Sequence, residues 1–188
     1  MYAILLAAGL SSRMGRQKLL LPIGDKTMVE RVLDSLETAG FEKICAVFSK
    51  ETGEAVKDRK KVIRAINPHP ELGQSSSLII GLSMVPDGKD FCIMLGDLPF
   101  AESGKITELA HRFSGMDKNK TCLAPCRNGV FGHPMFYRSL WKERLASADG
   151  DKGGKTILLK YDDEIERVEA HDGHFKDIDT PRDYENIL

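Results

Sequence analysis

Three places in the 188-residue sequence gather side chains suited to holding a polyanion. The first is the run Leu6-Ala7-Ala8-Gly9-Leu10-Ser11-Ser12-Arg13-Met14-Gly15-Arg16-Gln17-Lys18. Small residues at Ala7, Ala8 and Gly9 let the backbone come close to a ligand, with its N–H groups facing phosphate oxygens. Arg13 adds a planar fork for phosphate, and Lys18 a flexible point charge. The other two places are Asp97, within Gly96-Asp97-Leu98-Pro99, and Asp179, within Asp177-Ile178-Asp179-Thr180-Pro181. Mg²⁺ commonly takes one or two carboxylates and fills its remaining positions with phosphate oxygens and water. If Asp97 and Asp179 converge, they offer such an ion a site facing a polyanion. Each place taken singly has an ordinary alternative: a surface turn, a turn-forming aspartate, or a partner for the cap of the last helix. Asp177 reads as a structural neighbour. The first loop has neither the Walker pattern nor G-x-G-x-x-G, which weighs against P-loop NTPase and NAD-binding readings.

Less specific signals accompany these. Ser75, Ser76 and Ser77 stand before an apolar helix, where hydroxyls serve as caps. His133, in Gly132-His133-Pro134, is either a phosphate contact or an ordered loop histidine. His69, His171 and His174 have no partner spacing and read as surface residues. Cys45 and Cys92 sit in apolar runs as small buried side chains. Cys122 and Cys126 fall on one strand face, but no second pair of ligands exists, so reduced thiols are expected rather than zinc.

The elements that must position these groups alternate. Tyr2–Leu6, Lys43–Ser49, Val62–Asn67, Phe91–Leu95 and Ile165–Ala170 read as strands, the first four with apolar or buried character. Helices are expected after the capping-box pattern Thr27-Met28-Val29-Glu30, over Glu51–Arg59, Ser77–Val85, Ser103–Phe113, Leu140–Ala146 and Lys155–Tyr161, and from Thr180-Pro181 onward. Asn128-Gly129 marks a hairpin between two strands within Cys122–Tyr137. Alternating strands and helices imply a three-layer α/β/α, Rossmann-like domain with a mostly parallel mixed sheet, one unit over residues 1–188. In such sheets ligands bind beyond the carboxyl ends of the strands.

Composition narrows the partners. With 27 Lys+Arg against 28 Asp+Glu, the chain has no positive excess for general binding to nucleic acid or a membrane surface. The basic run Lys57–Lys61 reads as a solvated turn. No apolar run approaches the ~20 residues of a membrane span, and the N-terminus lacks a basic leader, so a cytoplasmic location is expected.

The stretch LAAGLSSRMGRQK, together with LGD-x-P at Asp97 and DIDTP at Asp179, resembles the MobA/MocA-like nucleotidyltransferases. The spacing from Arg13 to Lys18 is most similar to the molybdenum cofactor cytidylyltransferase branch. The resemblance runs from Leu6 to Asp183 with its motifs in order. It implies nucleotide binding by Leu6, Ala7, Ala8, Gly9, Arg13, Lys18, Gly73 and Ser77, the last two beside the nucleobase. It implies Mg²⁺ held by Asp97 and Asp179, catalytic roles for Arg13, Lys18 and Asp97, and acceptor contacts from His133 and Asp151. The implied reaction is attack by an acceptor phosphate on the α-phosphorus of an NTP. CTP and molybdopterin are the leading substrates, and a molybdenum hydroxylase is the downstream client. GTP, a sugar phosphate acceptor, or a non-catalytic delivery role remain as alternatives. Phe131, Leu98 and Gly154-Lys155 depart from the family pattern, all on the acceptor half.

Overall fold

The strand β1 (Tyr2–Ala7) is buried along its whole length and lies at the centre of the sheet, between β4 (Ile44–Phe48) and β6 (Phe91–Leu95). The structure, a computed structural model, describes residues 1–147 and 153–187, the side chains of Arg13 and Lys155 aside. Beyond β4 lies β5 (Val62–Ile66), and β1, β4, β5 and β6 all run parallel. On the other side of β6, β9 (Met135–Tyr137) pairs antiparallel with β6 and with β7 (Cys122–Arg127), and β10 (Ile165–Val168) pairs parallel with β7. The sheet order is therefore β10-β7-β9-β6-β1-β4-β5, with the two-residue β8 (Val130–Phe131) added to β7. Near the first loop, β2 (Pro22–Ile23) and β3 (Lys26–Thr27) form a small separate ribbon.

Side-chain alternation along β1 supplies both cores. Ala3, Leu5 and Ala7 pack on one face with α1 (Met28–Thr38) and α4 (Ser103–Gly115). Tyr2, Ile4 and Leu6 pack on the other, with α3 (Gln74–Ser83), α5 (Trp141–Ala146) and α6 (Gly153–Lys160). The result is a sheet buried on both faces, as parallel sheets require. The α1 stripe Met28, Val29, Val32, Leu33 and Leu36 is buried as its spacing predicts, and Thr27 and Glu30 form the capping box.

Several boundaries differ from expectation. The helix α2 (Lys50–Ala55) stops four residues early because Val56 turns extended and buries its side chain in the core. Arg64 then donates to the Val56 carbonyl and pairs with Asp58. The helix α3 begins three residues earlier than expected, with Gly73 as its N-cap at φ 87°, a conformation that favours glycine. Asn128 (φ 50°) and Gly129 (φ 77°) make the hairpin turn, but β8 is short; the returning strand breaks at residues 132–134 and resumes against β7 as β9, which buries Met135, Phe136 and Tyr137 against β6. Arg59, in the basic run, is held by Asp34 and Glu37 on α1. Among the described residues no helix is long and apolar enough to cross a membrane.

Candidate functional site

The loop after β1 is fixed by its own side chains. Ser11 Oγ donates to Gln17 Oε1 at 2.8 Å, Gln17 Nε2 donates to the Gly9 carbonyl at 3.1 Å, and the Lys18 amide donates to Ser11 Oγ at 3.0 Å. Ser11 (φ 53°) and Gly15 (φ 65°) supply left-handed turns. This stitching folds the loop back over the strand end and presents Lys18, on the short turn Lys18–Leu20, inward at 8% exposure. Ser11 and Gln17 were not singled out from sequence; their polar side chains six residues apart carried no motif by themselves.

Lys18 Nζ donates to Asp97 Oδ2 at 2.7 Å and to Asp179 Oδ1 at 2.7 Å. The two aspartates, 82 residues apart in the chain, meet at one ammonium. Each is placed by local structure. Asp97 follows Gly96, whose amide donates to the Leu6 carbonyl at 2.9 Å. A Cβ at Gly96 would lie 3.2 Å from the Ala7 Cβ and 3.3 Å from the Leu6 carbonyl oxygen, so glycine lets β6 close on β1 here. Asp179 precedes the capping box of α7 (Pro181–Glu185), in which Asp183 accepts from the Thr180 amide and hydroxyl and from the Asp179 amide. Its backbone thus joins the cap while its carboxylate faces Lys18. Tyr184 Oη donates to the Pro22 carbonyl at 2.6 Å, fastening that segment beside the first loop.

The electrostatics follow from this geometry. Burial of the Lys18 ammonium pushes its pKa down, but the charges and hydrogen bonds of Asp97 and Asp179 outweigh that and leave it raised. Asp177 is pushed up, first by burial and then by the charges of Asp179 and Asp97, which places it in the same acidic field. Asp97 Oδ1 is buried and has no hydrogen-bond partner among the described residues. A buried carboxylate oxygen in this condition is costly unless a cation or donor meets it, and a hard divalent ion fits that donor set. Among the described residues, no group of three or more His, Cys, Asp or Glu side chains is arranged as a self-sufficient metal cage.

A cleft of about 240 Å³ opens beside this cluster, lined by Leu6, Ala8, Gly9, Lys18, Gly73, Ser77 and Asp97 among others. Most of the predicted nucleotide-side residues therefore share one cavity at the carboxyl ends of the strands. Ala7 does not: it is fully buried on the α1/α4 face, because successive side chains of a strand point to opposite sides. Arg13 lies on the short turn Ser12–Met14, and its side chain falls outside the described set.

A second, larger cavity of about 590 Å³ adjoins the first, the two sharing Leu6, Gln74 and Leu95. Its walls are largely apolar, with Leu78, Ile93, Phe131 and Leu158 among them, and His133 and Arg167 at polar points. His133 Nδ1 lies 3.2 Å from the Ile93 carbonyl, and burial holds its pKa below the usual range. A carbonyl only accepts, so Nδ1 carries the proton and neutral His133 keeps a lone pair on Nε2. Of its two sequence readings, the buried bond to Ile93 agrees with an ordered loop histidine, and Nε2 is left to face the cavity. His174, expected at the surface, is 1% exposed: its Nδ1 lies 2.8 Å from the His133 carbonyl, and the His133 amide donates to the His174 carbonyl at 2.9 Å. A Cβ at Gly132 would come within 2.6 Å of that same His174 carbonyl oxygen. Asp151 lies outside the described residues. All four cysteines are free, and burial pushes the Cys45 thiol up to about 11.

A mostly parallel sheet covered on both faces, with its cleft beyond the strand ends, is the Rossmann-like fold of nucleotidyltransferases. The Mycobacterium tuberculosis H37Rv protein Rv0371c shares it with a TM-score of 0.85 at 23% identity, over 100% of this chain and 96% of that one. A second structure of Rv0371c, in complex with manganese, gives a TM-score of 0.79 at 22% identity, over 100% of this chain and 97% of that one. At these identities the likeness speaks to fold alone. The family described as the MobA-like NTP transferase domain matches residues 3–165, and the chain belongs to that family. It is 26% identical to a probable molybdenum cofactor guanylyltransferase from Natranaerobius thermophilus, over 97% of this chain and 92% of that protein. It is 29% identical to a glucose-1-phosphate thymidylyltransferase from Xanthomonas campestris pv. campestris, over 82% of this chain and 52% of that protein. The chain spans about half or less of the length of the first curated relatives it matches.

Proposed function

We propose that this protein transfers a nucleoside monophosphate from an NTP to a phosphorylated acceptor. An oxygen of the acceptor phosphate attacks the α-phosphorus, a new P–O–P bond forms, and the bond to the β-phosphate breaks to release pyrophosphate. The observation that carries this reading is Lys18 Nζ at 2.7 Å from both Asp97 and Asp179, at the edge of a cleft lined by the small-residue loop. Backbone amides at Ala8 and Gly9 would hold phosphate oxygens, with Lys18 and Arg13 opposing their charge. Asp97 and Asp179 would hold Mg²⁺, and Asp97 Oδ1 offers the lone pairs such an ion needs. When bound, the ion supplies charge neutralisation on the phosphates as pyrophosphate departs. No side-chain nucleophile is required, because the acceptor phosphate is already anionic and positioning is the main requirement. The larger cavity, with His133 on its wall, is the place for the acceptor.

Family resemblance favours CTP and molybdopterin. The guanylyltransferase relative favours GTP, and the thymidylyltransferase relative a sugar phosphate acceptor. Pyrophosphate release with each of the four NTPs, against molybdopterin and against glucose 1-phosphate, separates these readings. Molybdopterin-dependent release that stops when divalent ions are chelated is the expected result. Tight cofactor binding with no turnover under Mg²⁺, and no change on Asp97→Asn, would instead mark a delivery protein for a molybdenum hydroxylase.

A further inference from the structure

Asn67 follows β5 directly and is 3% exposed. Its carboxamide is fully engaged: Oδ1 accepts from the His69 amide at 2.9 Å, and Nδ2 donates to Ser76 Oγ at 2.8 Å and Ser77 Oγ at 2.9 Å. The amide cannot be turned over. A backbone N–H only donates, so the oxygen must face His69 and both amide hydrogens must face the serines. Ser76 is satisfied in turn, since its hydroxyl accepts from Asn67 and donates to the Gly73 carbonyl at 2.7 Å. Ser77 accepts the other amide hydrogen and is 5% exposed, yet among the described residues no acceptor meets its own proton. Ser77 also lines the smaller cleft.

We propose that Asn67 is a positioning residue that sets the hydrogen-bond polarity of this wall of the cleft. By donating to Ser77, it leaves the hydroxyl proton for a ligand, so the wall selects a nucleobase edge bearing an acceptor, such as a carbonyl oxygen, over one bearing an amino group. An amino group there could reach only the remaining lone pair of Ser77 Oγ and would leave the buried hydroxyl proton unmet, which costs more than a missing contact at the surface. The inference rests on the proposed function, because it requires an NTP in the cleft.

The test is Asn67→Asp. A carboxylate keeps the bond from the His69 amide but can only accept from the serines, so it draws the Ser77 proton away from the cleft. The NTP preferred by the wild type then loses about tenfold, on KM rather than kcat, and the ranking of NTPs moves toward those with an amino group at that edge. The added negative charge acts on all triphosphates alike, so the ranking is insensitive to it. Ser77→Ala gives a loss of similar size on KM, and in the Ser77→Ala background Asn67→Asp no longer moves the ranking of NTPs. An unchanged ranking in folded Asn67→Asp, or a ranking that Asn67→Asp still shifts when Ser77 is alanine, overturns the inference. If Asn67→Asp does not fold, Ser77→Ala decides: an unchanged nucleotide KM overturns it. A wild-type protein that binds no NTP in equilibrium titration overturns instead the functional reading beneath, a result distinct from all of these.

Discussion

The two adjoining cavities are built by different means. The smaller one sets the Lys18 ammonium and the Asp97 carboxylate, tied through Lys18 to Asp179, among small residues and leucines. The larger one is walled mainly by apolar side chains from α3, β6, β9, α6 and the hairpin, with few polar points. The contrast teaches that a pocket built on a charge cluster tolerates little variation in atom position. A pocket set by shape and volume can be retuned by side-chain exchange without rebuilding the fold.

The comparison breaks most visibly at the charge cluster. Asp97→Ala and Lys18→Ala are each expected to lower turnover by about 10²–10³-fold or more in pyrophosphate-release assays, with circular dichroism unchanged. Turnover near the wild-type rate in either would show that the smaller cavity is not where phosphates are handled. Next in size is Gly132→Ala. Its added Cβ would meet the His174 carbonyl and the Phe175 ring, so about 1–3 kcal/mol of stability should be lost, read as a fall in the melting midpoint. A smaller effect should separate the two cavities directly. Leu159 is 63% exposed on the wall of the larger one, and Leu159→Asp should raise the acceptor KM by about three- to tenfold while leaving nucleotide KM within twofold. Equal rises in both constants would merge the cavities into one functional site.

The smallest expected effect is a dependence on acid. Burial holds the pKa values of His133 and His174 below their ordinary 6.5. The unfolded imidazoles take up protons near 6.5 while the folded ones resist, so this stability is fully present above that value. It is lost as pH falls through the folded pKa values. Urea midpoints should drop between pH 7.5 and pH 5, and His133→Asn should reduce that drop. A steeper drop in the variant would contradict the assignment.

What could be read beforehand divides along the same line. Asp97 and Asp179 were legible because Gly96, Pro99 and Thr180-Pro181 mark their turns in sequence, and Lys18 because it ends a small-residue loop after a buried strand. The cap at Thr27, the turn at Asn128-Gly129 and the buried strands were legible for the same reason. Ala7 turns its side chain away from the cleft, as strand alternation from Leu6 implies, which leaves its backbone for the expected ligand contact. His174 looked exposed because its sequence neighbours are polar; its burial comes from the Gly132–Pro134 loop, which is distant in the chain. Asn67, Ser11 and Gln17 act through bonds to other side chains. Such partners appear only once the loops are closed, and a buried asparagine just after a strand was the one available hint.

The way β9 joins the sheet has a consequence for how the molecule holds together. The half containing β5, β4, β1 and β6 is drawn from the first 95 residues, and the half containing β7 and β10 from later ones. Among the described residues, these halves are sewn along the ladder by Met135, Phe136 and Tyr137 alone. That three-residue seam carries the mechanical continuity between the strand leading into Asp97 and the strand preceding the Asp179 segment. A lesion there could part Lys18 from its distant partner without altering any residue that touches it.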